Sequence, residues 1–249
     1  MLCSPYLDIG HSNTIGHMRI LPFVLLAGLA ACVQVPVAAP VDQPVDAAGP
    51  VPPRTAVVNL ISVVETVEPV AEALCRERAP TLNCDFLIVV DETPGAPPNA
   101  FQTRDDTGRP VVAFTVPLIA EARNRDELAF IMSHEVAHHI LGHIVRQNQS
   151  AMAGAQLLGG LASVLSGGRE ESIRMGAELG AEIGARTYSK SFELEADALG
   201  TVIAKRAGYD PLRGAEFFFR IPDPGNKFLG SHPANADRLA TVQRVASQM

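Results

Sequence analysis

The chain has 249 residues, 47% of them apolar, enough for one domain with its own core plus a tail. A formal net charge of −7, a pI near 5.5 and the lack of any Lys/Arg run longer than two residues argue against a nucleic-acid partner. With no Trp and only 5% aromatic residues, an aromatic stacking surface is also disfavoured.

The first element in chain order is a targeting segment. From Met18 the sequence reads MRILPFVLLAGLAAC: a basic start, a short apolar run, then small residues before a cysteine. The run is about twelve residues, short of the roughly 20 that a membrane-spanning helix needs. Leu29-Ala30-Ala31-Cys32 resembles a bacterial lipobox, which implies cleavage before Cys32 and lipidation of its thiol. On this reading residues 1–31 are the signal segment and Met18 is the true start, because residues 1–17 do not look like a basic leader. The mature chain would then face the periplasm on a lipid anchor. Val33, where an inner-membrane retention signal would place Asp, points toward the outer membrane. The alternative is an ordinary cleaved signal with an incidental cysteine. Residues 33–54, rich in Pro, Ala and Val, read as an extended tether, since frequent Pro forbids both helix and ladder.

The folded domain is expected over residues 55–249. Val57, Leu60, Ile61, Val64, Val67, Ala71 and Leu74 recur at helical spacing, predicting an amphipathic helix over 55–79. Residues 85–91 (DFLIVVD) predict a buried strand, residues 92–109 a loop, and residues 110–116 (PVVAFTV) a second strand. Between the first helix and the first strand stand Cys75 and Cys84, the pair left once Cys3 is removed and Cys32 lipidated. In an oxidising compartment they are disulfide candidates, and a bridge there would contribute about 2.5–3 kcal/mol in the chain-entropy model. Two buried free thiols are the alternative.

Asn124 with Glu127 gives a capping-box-like start to a helix expected to run past Ile144. Residues 151–168 are Ala/Gly/Leu-rich, interrupted by glycine pairs and by Gln156, and make a poor membrane span. Gly176, Gly180 and Gly184 recur every four residues and form a smooth ridge suited to close helix packing, either in a tight hairpin or in a lid. A helix over 192–207 with Gly208 at its end, another opened by Asp210-Pro211, and a terminal amphipathic helix complete the pattern. Two or three short strands among about six helices make the fold class α+β.

The chemistry sits in SHEVAHHILGH, residues 133–143, which holds four of the seven histidines. At about 100° per residue, His134 and His138 share one helix face, and His139 with His143 forms a second pair swung to the far side. Glu135 separates the two options. It follows His134 and can reach a metal-bound water without ligating the metal, whereas Ile140, after His139, can do no proton chemistry. His-Glu-x-x-His on a helix is a zinc-hydrolase signature for that reason, with Glu135 the expected general base. His139 and His143 read as structural residues of the back face. A third metzincin-type histidine is absent, since position 144 is Ile. Glu193, in SFELEADALG, can complete a His₂Glu site, and Asp197, one turn on, can accept a hydrogen bond from a ligand histidine. Taken alone, those acidic residues equally suit a solvated helix start favoured by the helix dipole.

In combination and order, HEVAH followed by FELEAD resembles the gluzincin zinc metallopeptidases, the family of HtpX, BepA and the CAAX prenyl protease. The resemblance extends to Asn99–Phe101 and to SHPANADR at 231–238, so it covers the chain from about residue 57 onward. It implies a mostly helical zincin-like domain with a small sheet beside the active-site helix. It further implies one Zn²⁺ per chain held by His134, His138 and Glu193, with Glu135 as general base. His232 is implied to lie near the zinc, either donating to the oxyanion or holding the enzyme latent; a loop histidine capping the terminal helix is the alternative. Arg238 is expected to anchor its loop to a carboxylate. By analogy with zincins, the strand at 111–116 would be the edge against which a peptide adds a strand. The function expected is a zinc metalloendopeptidase acting on polypeptides, such as unfolded or misassembled envelope proteins. The competing reading is an envelope chaperone or assembly factor whose zinc site is latent or mainly structural.

Overall fold

The computed structural model describes residues 51–187, 189–221 and 233–249. The expected signal segment, Cys32, the expected tether up to residue 50 and His232 lie outside the described residues. Helix α1 (Pro53–Arg78) starts two residues earlier than the periodicity predicts, with Pro53 in the first turn, where its fixed φ suits a helix and its missing N–H costs nothing. Its buried stripe is Leu60, Val63, Val67, Ala71 and Leu74, while Val57 and Ile61 are half exposed. The stripe is thus narrower than the apolar pattern suggests, because only one side of α1 meets the rest of the core.

Three strands follow: β1 (Leu87–Asp91), β2 (Ala100–Arg104) and β3 (Pro110–Thr115), in the spatial order β1-β3-β2. β1 runs parallel to β3, Val89 opposite Ala113, and β2 runs antiparallel to it, Gln102 opposite Val112. β2 lies in the stretch where the sequence pattern predicts loop. Its polar residues and the prolines before it lack a strand pattern, and it is an edge strand held by its neighbour. Asp105 closes the turn to β3 by accepting from the Thr107 hydroxyl at 2.7 Å and from the N–H groups of Thr107 and Arg109 at 2.9 Å each. At the other end the Thr115 hydroxyl donates to Pro97 O and accepts from Asn99 N–H, fixing the entry of β2. Thr115 also caps the short helix α2 (Val116–Glu121).

Helix α3 (Arg125–Ile140) begins as predicted: Asn124 accepts from Glu127 N–H at 2.9 Å, and the Glu127 carboxylate accepts from Arg123 N–H at 2.8 Å. It does not run past Ile144. Gly142 takes the left-handed conformation (φ 66°), which other residues adopt at a cost, and a new helix α4 (His143–Ser166) starts there. The glycine pair at 159–160 leaves α4 unbroken, whereas the pair at 167–168, both left-handed, ends it. α4 packs against α5 (Glu170–Thr187) so closely that a Cβ on Gly180 would lie 2.1 Å from Gly154 O, and one on Gly184 2.1 Å from Ser150 O. That is the tight hairpin expected from the glycine ridge. Among the described residues no helix is long and apolar enough to cross a membrane.

Helix α6 (Ser189–Arg206) ends with Gly208 in the left-handed region and Tyr209 N–H donating to Ala204 O. Asp210 caps the single turn α7 (Pro211–Gly214), which passes into a 3₁₀ turn (Ala215–Phe219) rather than one helix to Arg220. Helix α8 (Asn235–Ala246) closes the domain. The core is built from α1, α3, α6 and the sheet, with Val67, Phe86, Phe114, Leu128, Met132, Val136 and Ile203 at its centre. Burying each large side chain contributes about 1.5–3 kcal/mol. The α+β class holds, mostly helical with one small sheet. Cys75 and Cys84 are joined as a disulfide, their Cα atoms 5.7 Å apart.

Candidate active site

α3 presents His134 and His138 one turn apart with their Nε2 atoms 3.0 Å from each other. α6 crosses α3 at Gly200, where a Cβ would sit 3.0 Å from His134 N, so the absence of a side chain sets how near the helices approach. This crossing brings the Glu193 carboxylate within 3.5 Å of His134 Nε2 and 3.4 Å of His138 Nε2. The spacing fits a metal. A tetrahedral ion about 2.0–2.1 Å from each donor needs about 3.3–3.4 Å between donors, close to the 3.0 Å between the two imidazole nitrogens and to the 3.5 and 3.4 Å that separate them from Oε2 and Oε1 of the carboxylate. Two imidazoles with one carboxylate are also a donor set that catalytic zinc takes. Among the described residues it is the one group of three His, Cys, Asp or Glu side chains that converges in this way.

Asp197 lies one turn beyond Glu193 and is fully buried. It accepts from His134 Nδ1 at 2.9 Å and from Arg238 Nε and Nη2 at 2.8 and 2.6 Å. Burial alone would raise its pKa, but the hydrogen bonds from Arg238 and His134 hold it below the usual carboxylate value. With Nδ1–H committed to Asp197, His134 turns the lone pair of Nε2 toward Glu193 and His138. Burial works against a charge on His134, yet its hydrogen bonds to Asp197 and Glu193 outweigh burial and lift its pKa to about 10. The carboxylates therefore demand a positive charge at this point, as a proton or as a cation. Arg238, expected to anchor to a carboxylate, does so on Asp197, and its guanidinium lies 3.9 Å above the Phe218 ring. Glu135 lies half-buried in the cleft wall, where burial raises its pKa against the opposing pull of His134 and His138. A raised pKa makes a carboxylate a stronger proton acceptor.

The back-face reading of His139 and His143 separates in the structure. His139 packs away from the site, its Nε2 2.7 Å from Asn83 O and its ring edge-on to Phe86. His143 does not share that face. The break at Gly142 turns it back toward His138, with the two Nδ1 atoms 2.8 Å apart. Its ring stacks on Phe192 at 4.6 Å, and its Nε2 lies 3.4 Å from Glu195, which pairs with Arg146 at 2.6 Å. Burial, and the neighbouring His138, push the His143 pKa down to about 4, so the ring is neutral. The glycine one residue before His143 was the available signal, since glycine at that spot is a helix terminator.

His134, Glu135, His138, His143, Phe192, Glu193, Phe218 and Arg238 line a cleft of about 640 Å³. Its opposite wall is residues 98–102, which include the start of β2. The strand at 111–116 is therefore not the free edge. β3 lies in the middle of the sheet, and β2 is the strand beside the cleft, because the polar segment read as loop pairs over it.

A family model described as peptidase family M48 matches residues 62–246, most of the chain and the whole of this site. The chain belongs to peptidase family M48. M48 metallopeptidases are zinc-dependent, in keeping with the donor set described above. Over 138 residues the chain is 29% identical to the beta-barrel assembly-enhancing protease of Escherichia coli (strain K12), which is 51% of this chain and 28% of that protein. The protein of the same name from Yersinia pestis is 28% identical over the same shares. The mitochondrial metalloendopeptidase OMA1 of Saccharomyces cerevisiae is 27% identical over 169 residues, 63% of this chain and 46% of that protein. The chain thus matches between about a quarter and a half of the length of these M48 relatives.

Proposed function

We propose that this M48 chain is a zinc-dependent endopeptidase that cleaves polypeptides in envelope protein quality control. The observation that carries the reading is the convergence of His134, His138 and Glu193 on one point in a cleft that also holds Glu135 and borders an edge strand. Zinc bound there supplies a Lewis acid that polarises a peptide carbonyl and acidifies water. The chain's own groups do the rest. An extended substrate segment adds to β2, whose outer edge pairs with no other strand among the described residues. Glu135, its basicity raised by burial, takes the proton from the attacking water and passes it to the departing amine. Asp197 keeps the Nδ1 proton on His134, so Nε2 faces the cation, and Arg238 fixes Asp197 in turn.

The envelope setting rests on the lipobox-like Leu29–Cys32 stretch and on the names of the bacterial relatives, and it places the domain on a lipid anchor facing the periplasm, the outer membrane favoured. The test is Glu135→Gln, with zinc content measured on the same sample. The variant is expected to bind zinc stoichiometrically, lose peptide hydrolysis and retain polypeptides co-purifying from envelope fractions. Full complementation of a deletion strain by Glu135→Gln would turn the reading toward the chaperone alternative. Undiminished zinc affinity in Glu193→Ala would refute the ligand set.

A further inference from the structure

The two ligand histidines are supported from opposite sides by different chemistry. His134 is held directly by a buried carboxylate. Among the described residues no carboxylate meets His138 Nδ1; its neighbour there is His143. Two ring nitrogens 2.8 Å apart cannot both present lone pairs, so one carries a hydrogen. If His138 is to offer Nε2 to a cation, its Nδ1 carries that hydrogen, and His143 Nδ1 accepts it. A neutral His143 then has its hydrogen on Nε2, the atom that faces Glu195 at 3.4 Å. Glu195 in turn takes both guanidinium arms of Arg146, at 2.6 and 3.3 Å. One requirement, a ligating Nε2 on His138, thus fixes every hydrogen along the row. The backbone is shaped for this arrangement. On an unbroken helix His143 would lie about 140° around from His138; the left-handed Gly142 brings it back into contact.

We propose that His143 is the positioning residue for His138: it accepts the Nδ1 hydrogen, fixes the tautomer and ring plane that present Nε2 to the zinc, and is itself oriented by Glu195, Arg146 and Phe192. Phe192 stacks under His143 and carries the Arg146 guanidinium 4.2 Å above its ring. Because Phe192 and Glu195 flank Glu193 on α6, the same contacts hold the third donor in register with the histidines. The inference rests on the zinc reading above and extends it to residues outside the ligand set.

Three variants test it by metal binding, independently of turnover. His143→Leu removes the acceptor and keeps a comparable volume, and His143→Asn places a carbonyl oxygen where Nδ1 stands. Glu195→Gln removes the charge at the end of the row, on a side chain 40% exposed. Zinc affinity is measured by competition with a chromogenic chelator, and the ligand field from the visible spectrum of the cobalt-substituted protein. His143→Leu is expected to weaken zinc binding roughly ten- to a hundredfold and to shift the cobalt bands. His143→Asn should stay within about threefold of wild type, and Glu195→Gln should lose about threefold or more. Equal losses in the Leu and Asn variants would mean that His143 only packs, and would overturn the proposal. So would unchanged zinc affinity and cobalt spectrum in His143→Leu. If His143→Leu does not fold, Glu195→Gln decides: a loss at an unchanged melting temperature supports the row, and no loss overturns it. Failure of the wild-type protein to bind zinc would instead overturn the zinc reading, and this inference with it.

Discussion

Asp197→Asn should destabilise the domain strongly, by an amount the structure lets one work out. The carboxylate is wholly buried and holds two side chains, His134 and Arg238, the latter through two short hydrogen bonds. Removing one partner of a buried ion pair costs about 3–5 kcal/mol, because the surviving charge is left desolvated. Arg238 keeps the Phe218 ring 3.9 Å away and Glu193 at 3.9 Å, which places the cost at the lower end, about 3 kcal/mol. For a domain of roughly 200 residues, each kcal/mol moves Tm by about 2–4 °C, so a fall of about 6–12 °C is expected. The assay is urea unfolding and thermal melting of chelator-treated protein, which separates folding from metal binding. A cycle with Arg238→Met and the double variant isolates the pair. The double variant should recover much of the loss, since an apolar replacement leaves no buried charge. A loss below about 1 kcal/mol, or a coupling below about 0.5 kcal/mol, would refute the claim that this pair is a structural anchor of the site.

The hairpin gives a paired test on two of its glycines, one at the helix contact and one away from it. Gly180→Ala must push α5 off α4, since its Cβ would meet Gly154 O at 2.1 Å, and should lower Tm; Gly160→Ala, with nothing within 4 Å, should leave Tm unchanged or raise it. Reduction of the Cys75–Cys84 bridge, or replacement of both residues by Ser, should cost about 2.5–3 kcal/mol in urea unfolding. Asp105 provides a pH test. Its hydrogen bond from the Thr107 hydroxyl, aided by the Thr107 and Arg109 amides and against a small effect of burial, holds its folded pKa below 3.8. Its contribution is therefore present above the unfolded value near 3.9 and is lost as pH falls through the lower folded value. The Tm gap between wild type and Asp105→Asn should be present at pH 6 and narrow as pH falls below about 3.9.

What could be read from the sequence was whatever depended on short spacing. His134, Glu135 and His138 announce themselves because a helix puts them on one side, and Glu193 with Asp197 repeats the same arithmetic on α6. Two things were hidden. β2 carries no strand pattern because, at the edge of the sheet, its conformation comes from β3 and from the Asp105 and Thr115 turns. With β2 missed, the substrate edge was assigned one strand too far inward. The role of His143 was hidden by extending α3 through a single glycine, an error of one dihedral pair that moves a side chain from the back of a helix to the wall of the cleft. The fit of Gly200 against His134 had no local signature, since it depends on how two helices cross.

Arg238 ties the site to the last helix of the chain. His134 and Arg238 stand 104 residues apart in the chain, and the carboxylate between them comes 41 residues before the arginine. The α4–α5 hairpin, built from sequence neighbours, can form as soon as its two arms exist, but the ligand cluster cannot be braced until α8 has been made and has docked. A chain still in synthesis, with α8 undelivered, carries His134, Glu135, His138 and Glu193 without the strut that aligns them. The order of the elements along the chain thus defers the aligned site, withholding it from the nascent protein and granting it to the folded one.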